Sequence, residues 1–395
     1  MSFAKETNAT TTLICFLIIA MSAFRYLNQL VDVYANSPFF DFSLYYIYAD
    51  ITSKGINPFD PNIIVKAGGI AQAANYPPFF YALMHPFTLI PFGIASRVWF
   101  ILNQVFIILV VVLIFKLVRN SFTLVNLSGL IFLIANFFPI YGSNFLGQAN
   151  VLVLFLLTLS LYTYKSRHIL FAALLIALVT HIKIQYALFL PVFFFVGYRR
   201  LFLLTFLFVI VGWVSGFIAL GFEQNIGYLK YISNFPKELY LWVGNISITA
   251  NIGRYFGLNM VPFALAASII FFGGYIKYLA SGKNNFDASY VWSLSILGTL
   301  ICSPLLEIHH LAVCFLPIVW LIFSYQRIVF KRNNISTLAL IVVSTFLLGI
   351  WVFVSPLPNI SGWNSVLPLT TRTIGLLGLF SVLVMTRQTS LKKLD

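Results

Sequence analysis

Acidic and histidine residues are scarce in this 395-residue chain, with 10 Asp and Glu and 5 His, so their clusters mark where chemistry is feasible. Asp41 opens an amphipathic stretch, and Tyr45 and Tyr48 follow at i+4 and i+7 on the same helical face. Two interpretations of Asp41 are open. It either caps the N-terminus of a helix over residues 42–54, where Asp is a preferred residue, or it presents its carboxylate to a site shared with the tyrosines.

A second group, Glu307, His309 and His310, lies between two apolar runs late in the chain. An acid beside two histidines could bind a metal ion, but adjacent histidines point apart on a helix, and no further ligand is evident. The pattern disfavours a metal and favours histidines that hydrogen-bond a carboxylate or a substrate. Histidines that are satisfied within a polar loop are the remaining alternative.

Three basic residues and two amides complete the set of candidates. Lys183 lies between two short apolar runs, Arg254 lies in a polar loop, and Arg372 lies within an apolar run, as does Arg25. A cation inside a membrane is costly, so Arg25 and Arg372 either have a functional partner or extend to the headgroups. The amides of Gln148 and Asn150 suit either the recognition of hydroxyl groups or hydrogen bonds between helices.

The composition shows which elements must position these residues. Hydrophobic residues make up 60% of the chain and charged residues only 9%, with a mean hydropathy of +0.94, which excludes a soluble domain. A helix needs about 20 apolar residues to cross a bilayer. The chain is therefore predicted to be an all-α, polytopic membrane protein with one transmembrane domain over residues 1–395. The three cysteines all fall in apolar runs and are interpreted as small hydrophobic residues.

Apolar runs between polar breaks predict about twelve spans, of which 168–182 and 185–198 are short. The first run is too long for a signal sequence and has no cleavage site after it. The predicted spans are 12–32, 97–118, 122–139, 148–164, 168–182, 185–198, 201–220, 259–280, 288–305, 309–326, 335–354 and 366–386. Two outer loops, 36–92 and 222–258, separate some of these spans. The first is expected to contain a surface helix and, over the proline-rich 77–92, an interfacial or re-entrant helix.

Charge placement predicts the orientation. If 77–92 does not cross, most basic residues fall on one side, which the positive-inside rule makes cytoplasmic, together with both termini. This explains the net charge of +14 without nucleic acid. The cytoplasmic basic residues are Lys5, Lys116, Arg119, Lys165, Arg167, Arg199, Arg200, Lys277, Lys283, Arg327, Lys331, Arg332, Arg387, Lys392 and Lys393. Seven of the ten acids fall on the opposite face: Asp32, Asp41, Asp50, Asp60, Glu223, Glu238 and Glu307.

Four short motifs in this order resemble the glycosyltransferases of family 87, membrane enzymes of the GT-C class. The resemblance covers about residues 36–320. It rests on Asp41-Phe42-x-x-Tyr45-Tyr46 with Gly55-x-Asn57-Pro58-Phe59-Asp60 and Tyr76-Pro77-Pro78-Phe79, then on Gly147-Gln148-x-Asn150, His181-x-Lys183 and Ser303-Pro304-Leu305-x-x-x-His309-His310. The chain departs from the family at Lys183-Ile184-Gln185, where a proline is frequent, and at Leu306-Glu307-Ile308, where a tryptophan is frequent.

The resemblance implies a hexosyltransferase with a GT-C fold in a plasma membrane, acting on the non-cytoplasmic face. It implies a polyprenyl-phosphate hexose donor, with mannose favoured and arabinofuranose an alternative, and a glycolipid or cell-envelope glycan acceptor. Asp41 would be the general base in an inverting displacement, and Lys183, then Arg254 and Arg372, would hold the donor phosphate. The sugar or acceptor would be contacted by the remaining candidates: Tyr45, Gln148, Asn150, Glu307, His309 and His310.

No cofactor is expected, and a divalent metal is not favoured. The sequence has no glycine-rich phosphate loop, which argues against a nucleotide-sugar donor. A transporter or flippase of lipid-linked sugars is the alternative, since about twelve spans with both ends inside is also a transporter plan. Transporters, however, place polar sites near the midplane and often show repeated halves. Here the polar candidates gather on one face.

Overall fold

The computed structural model describes residues 8–60, 74–118, 123–233, 240, 242, 244–282, 286–329, 335–349 and 363–386. Every element within these ranges is helical, as the sequence predicts. Short 3₁₀ turns occur at Ile184–Leu188, Leu258–Met260 and Ile308–Cys314. The α-helices are α1 Ala9–Asn36, α2 Phe40–Ser53, α3 Pro78–Thr88, α4 Phe92–Leu117, α5 Leu124–Asn136, α6 Phe138–Leu146, α7 Asn150–Lys165, α8 Ile169–Ile182, α9 Phe189–Val196, α10 Arg199–Leu220, α11 Phe222–Ser233, α12 Ile248–Phe256, α13 Val261–Ser281, α14 Ala288–Cys302, α15 Phe315–Val329, α16 Ile335–Gly349 and α17 Trp363–Met385.

Four helical segments in the described ranges are long and apolar enough to cross a membrane. They are Ala9–Asn36, Phe92–Leu117, Arg199–Leu220 and Leu258–Ser281. Shorter apolar helices accompany them, including α8 with 14 residues and α9 with 8, the two segments predicted to be short. These helices make the chain a multi-pass membrane protein, and the figure of twelve spans stays a prediction.

The span predicted over 122–139 is wrong in detail, because the helix breaks at Phe137 and α6 continues to Leu146. The break has a local cause. Pro139 has no N–H, so the carbonyl of Ala135, four residues earlier, lacks its helical partner. Arg25 Nε and Gln29 Nε2 of α1 donate to this carbonyl at 3.2 and 3.1 Å. Arg25 is thus held by a helix break, rather than extending to the headgroups.

The first outer loop folds back over the helix ends. Helix α2 occupies nearly the residues predicted for it, and α3 over Pro78–Thr88 packs against it. Phe42 of α2 stacks on Trp99 of α4 with ring centroids 5.7 Å apart, and Tyr45 meets the edge of Phe80 at 4.9 Å. These aromatic contacts fix α2 onto the bundle, so its first turn has a defined position.

An ion pair marks the other end of the bundle. Lys165 Nζ, at the C-terminus of α7, lies 3.1 Å from Asp287 Oδ1, just before α14, and 3.2 Å from Ser289 Oγ. The opposite ends of α7 and α14 are at Asn150 and Cys302, about 24 Å along the 16-residue α7. The polar candidates gather at that far end. Several charged residues whose side of the membrane is predicted above lie outside the described residues: Lys5, Arg119, Glu238, Lys283, Lys331, Arg332, Arg387, Lys392 and Lys393.

Candidate active site

Asp41 lies in the first turn of α2 and does not cap it. The N-cap is Phe39, whose backbone is left-handed (φ 46°, ψ 46°), an uncommon conformation for a bulky residue. Ser37 supports this turn, since its Oγ accepts from Phe39 N at 2.9 Å and donates to the carbonyl of Phe145. The N-cap interpretation of Asp41 is therefore wrong. Its carboxylate is instead available for a long-range contact.

That contact is made by Gln148. The Nε2 of Gln148 donates to Asp41 Oδ2 at 2.6 Å. On the other side of the same amide, Oε1 lies 2.7 Å from the hydroxyl of Tyr45 and 2.9 Å from that of Tyr76. Because a carboxylate can only accept and a phenol can donate, both ends of the amide are satisfied in one orientation. Tyr48, by contrast, packs against Tyr81 with ring centroids 5.8 Å apart.

Gly147 explains why Gln148 reaches this position. It ends α6 with φ +71°, a conformation that glycine adopts without strain. A Cβ at this residue would lie 2.6 Å from Cβ of Phe42, the neighbour of Asp41. Trp99 Nε1 donates to the carbonyl of Gly147 at 2.8 Å. The close approach of these two backbone segments brings Gln148 against Asp41.

Lys183 supplies the positive charge of the site. It lies in extended backbone between α8 and the following 3₁₀ turn, with only 8% of its surface exposed. Its Nζ lies 5.2 Å from the centroid of the Tyr76 ring, a cation–π distance. No described side chain forms a hydrogen bond or ion pair with Nζ. Burial lowers the pKa of Lys183 to about 8, although Glu307 and Asp41 favour its charged form.

Glu307 begins the 3₁₀ turn over Ile308–Cys314 and organises both histidines. Its Oε2 lies 2.9 Å from His309 Nε2, and its backbone N–H donates to Nδ1 of His310 at 3.2 Å. Burial would raise the pKa of Glu307, but His309 and Lys183 outweigh burial and lower it. The two imidazole rings are nearly perpendicular, at 87°, and so face different partners.

The same trio is the one group in the described residues that has metal-binding spacing. One ligand atom from each of Glu307, His309 and His310 lies within 4.8 Å of the others. His309 and Glu307 already pair with each other, however, and His310 uses Nδ1 as an acceptor. The positive charge of Lys183 also acts on Glu307 and His310. A divalent cation bound here would have to displace the contact between Glu307 and His309 and would be repelled by the Lys183 ammonium.

These groups form one electrostatic unit around Asp41. Burial raises the pKa of the Asp41 carboxyl, and Glu307 acts in the same direction, whereas His309, the Gln148 hydrogen bond and Lys183 act against them. The aspartate is thus a stronger base than a carboxylate in water, and it interacts with an ammonium that has no direct ion-pair partner among the described residues. Such an arrangement can accept a proton and hold an anion at adjacent points.

Three candidates are placed elsewhere or have other partners. Arg254 donates to the carbonyls of Trp242 and Asn245 and to Asn251 Oδ1, at 2.9, 2.6 and 2.8 Å. It thereby holds a segment whose Asn245 binds the backbone of Pro304 and Leu306, directly before Glu307.

Arg372 is buried on α17 beside Gly349 and Pro139. Asn150 begins α7 with its amide buried and without a hydrogen-bond partner among the described residues. Tyr76 was not predicted as a site residue, although it is the first residue of the Tyr76-Pro77-Pro78-Phe79 motif.

The model of glycosyltransferase family 87 matches residues 75–304, more than half of the chain. The chain belongs to glycosyltransferase family 87. No curated protein matches the chain.

Family membership makes the protein a membrane glycosyltransferase. The matched range contains five of the site residues: Tyr76, Gln148, Asn150, Lys183 and Arg254. Asp41 and Tyr45 precede the range, while Glu307, the two histidines and Arg372 follow it. Since the contacts above join Asp41 to Gln148, and Lys183 acts on Glu307, the site combines residues from inside and outside the matched range.

Proposed function

We propose that this family 87 glycosyltransferase moves a hexose, mannose being favoured, from a polyprenyl-phosphate donor to an acceptor hydroxyl. The acceptor is a glycolipid or a cell-envelope glycan, and the reaction takes place at the non-cytoplasmic face of a plasma membrane. The observation that carries the proposal is the electrostatic proximity of Asp41 to the buried ammonium of Lys183, which forms no direct ion pair with the described residues. One group suits a hydroxyl proton and the other suits a leaving phosphate.

The reaction needs one base. Asp41 takes the proton of the acceptor hydroxyl, whose oxygen forms a bond to the anomeric carbon. The bond between that carbon and the phosphate oxygen breaks, and its electron pair leaves on the polyprenyl phosphate. Because a phosphate leaves without prior protonation, no second carboxylic acid is required, unlike in retaining hydrolysis. Direct displacement inverts the anomeric configuration.

The remaining residues are given supporting roles. Lys183 binds the donor phosphate, and Arg254 stabilises the segment next to Glu307 by its three hydrogen bonds. Arg372 is kept as a secondary phosphate candidate. Asn150, Tyr45, Glu307, His309 and His310 serve the sugar, the acceptor or the orientation of Asp41. We expect no cofactor, and the paired Glu307 and His309 support transfer without a divalent metal.

The first experiment measures transfer of radiolabelled mannose from polyprenyl-phosphate mannose to endogenous lipid by membranes that contain the wild type or Asp41→Asn. General base catalysis contributes about 10²- to 10⁴-fold, so we expect the variant to lose activity in that range. Asp50→Asn is a matched control, because Asp50 lies in the same helix and pairs only with the exposed Lys54 among described residues. The Asp50→Asn control should keep its activity. A chelator of divalent metals should not change the activity of the wild type.

Each other result has a definite meaning. Equal transfer by wild type and Asp41→Asn at equal folded expression would show that Asp41 is not the base. Absence of transfer by the wild type would reject the donor, and a set of other polyprenyl-phosphate sugars would then be tested. Loss of activity in the chelator would reject transfer without a divalent metal, and Glu307, His309 and His310 would be the first ligands to test by substitution.

A further inference from the structure

The hydrogen bond from Gln148 makes the two carboxylate oxygens of Asp41 inequivalent. Oδ2 accepts from Gln148 Nε2 at 2.6 Å, while Oδ1 has no hydrogen-bond partner among the described residues. Gln148 itself is 4% exposed, so the amide cannot exchange this contact freely for water. A base needs one oxygen that is held and one that is open to the proton it accepts.

The orientation of this amide depends on two tyrosines. The hydroxyl oxygens of Tyr45 and Tyr76 and the Oε1 of Gln148 form a triangle with sides of 2.7, 2.7 and 2.9 Å. The triangle contains only two protons, one on each hydroxyl, so at most two of its three sides are hydrogen bonds at once. Whenever both protons stay within the triangle, at least one of them points to Oε1.

The two tyrosines are not equivalent. Tyr45 is buried at 2% exposure, with its ring edge against Phe80. Among the described residues, its hydroxyl can donate only to Gln148 Oε1 or to the hydroxyl oxygen of Tyr76. Tyr76 is partly exposed and its ring faces the Lys183 ammonium. If the Tyr76 hydroxyl turns towards a substrate, Tyr45 still donates to Oε1. The amide therefore keeps its orientation when one tyrosine is released.

From this geometry we propose that Gln148 is a positioning residue, which holds Asp41 through Oδ2 so that Oδ1 takes the acceptor proton. Tyr45 fixes the orientation of the amide by donating to Oε1. Tyr76 contacts the substrate, because its hydroxyl is not needed to orient the amide and lies beside the donor phosphate. The proposal rests on the role of Asp41 as base, and it deepens that role by naming the reacting oxygen and the groups that select it.

Loss of the Gln148 contact has a direct electrostatic consequence. A hydrogen bond to the charged form of a carboxyl stabilises that form, so removal of the donor makes Asp41 harder to ionise. The other groups that act on Asp41 are Glu307, His309 and Lys183, and they remain in place in a Gln148 variant. The two tyrosines stay neutral throughout, because burial raises their pKa well above the usual value.

The test needs no substrate. A hydrophobic carbodiimide reacts with protonated carboxyl groups, and mass spectrometry of the purified full chain gives the pH midpoint of labelling at Asp41. In Gln148→Leu, we expect the midpoint to rise by about one pH unit. Gln104→Leu is the matched control, since Gln104 is an amide of α4 whose hydrogen bonds to described residues include Tyr26 and Asn144 but not Asp41. It should leave the midpoint unchanged.

The tyrosines supply an independent test if Gln148→Leu does not fold. Tyr45→Phe and Tyr76→Phe should each shift the midpoint little, because one donor to Oε1 remains. The double variant leaves Oε1 unpaired, frees the amide to rotate and should shift the midpoint as Gln148→Leu does. Such non-additivity is the signature of residues acting through one partner.

An unchanged Asp41 midpoint in Gln148→Leu, or in the folded double variant, overturns the positioning role even if the transfer rate falls. This readout is separate from the proposed function. If the wild type transfers no sugar, the donor or the base is wrong, yet the labelling still decides whether Gln148 controls Asp41.

If transfer is observed, Tyr76→Phe should raise the KM for the donor more than it lowers kcat, and the opposite pattern rejects its contact with the donor.

Discussion

At the residue scale, the chemistry depends on a buried cation that forms no direct ion pair with the described residues. Lys183 is buried, has no ion-pair partner among the described residues, and lies against the ring of Tyr76 rather than against a carboxylate. Uncompensated burial of a charge is unfavourable. A site that tolerates this cost is suited to an anionic ligand, which is why the phosphate of the donor is assigned here.

This residue predicts an alkaline limit to the reaction. With the pKa of Lys183 lowered to about 8, its charge is present below that pH and is lost as the pH rises through it. We expect kcat/KM for the donor to fall by about tenfold per pH unit above 8. Lys183→Arg keeps its charge at these pH values and should remove the alkaline fall.

Below pH 8, Lys183→Gln should lower kcat/KM by roughly 10- to 100-fold, the range of a hydrogen bond to a charged group. The difference from the wild type should shrink above pH 8, because the wild-type lysine loses its charge there. Lys54→Gln is the control, because Lys54 is an exposed lysine near the outer end of α2. A fall above pH 8 that persists in active Lys183→Arg would assign the alkaline limit to another group.

At the element scale, the site depends on how closely α6 and α2 approach. Gly147 combines a left-handed backbone with a Cβ position only 2.6 Å from Phe42 Cβ. Gly55, which follows α2, has a similar φ of +77° but nothing within 4 Å of its Cβ position. An alanine at Gly55 therefore measures the conformational cost alone, whereas an alanine at Gly147 adds the cost of a steric clash.

Gly55→Ala should lower the free energy of unfolding by about 1–2 kcal/mol, the cost of a left-handed residue that has a Cβ. Gly147→Ala adds the clash with Phe42 and should destabilise the protein further and lower sugar transfer, since Gln148 moves away from Asp41. Thermal unfolding in detergent and the transfer assay measure both effects. Equal losses in the two variants would show that the close approach to Phe42 is unimportant.

At the scale of the whole molecule, the polar chemistry and the basic loops lie at opposite ends of the helices. Helix α7 begins beside Gln148 and ends at Lys165, and α14 begins after Asp287 and ends just before Ser303. The same segregation follows from the charge pattern of the sequence. It predicts that Asp41 and the outer end of α2 face the non-cytoplasmic side.

This orientation can be measured with single cysteines in a variant that lacks Cys15, Cys302 and Cys314. Ser53 and Ser166 are both exposed, one at the end of α2 and the other directly after α7. A membrane-impermeant maleimide added to intact cells should label Ser53→Cys, whereas Ser166→Cys should react only after the membrane is opened. The reverse pattern would place the site on the cytoplasmic side.

Much of the architecture was predictable because a membrane helix is marked in the local sequence by an apolar run between polar breaks. Apolar runs and polar breaks predicted α1, α4, α7, α8 and α10 to within a few residues. The ion pair of Lys165 with Asp287 agrees with the prediction that both lie on one side. The motifs also contain residues that lie together in the structure, and their roles stay predictions. These residues, in hydrogen-bond or electrostatic contact, are Asp41, Tyr45, Gln148, Lys183, Glu307, His309 and His310. Family membership was confirmed by the match over residues 75–304.

The partners of these residues were decided only by the tertiary structure. Nothing within the sequence around Asp41 shows that its carboxylate meets an amide 107 positions away, or that Phe39 takes the capping position. The break at Phe137 likewise depends on α1 supplying donors to Ala135. Spacing along a helix determines which side chains share a face, but which faces meet, and which hydrogen bonds they complete, depends on the packing of distant segments.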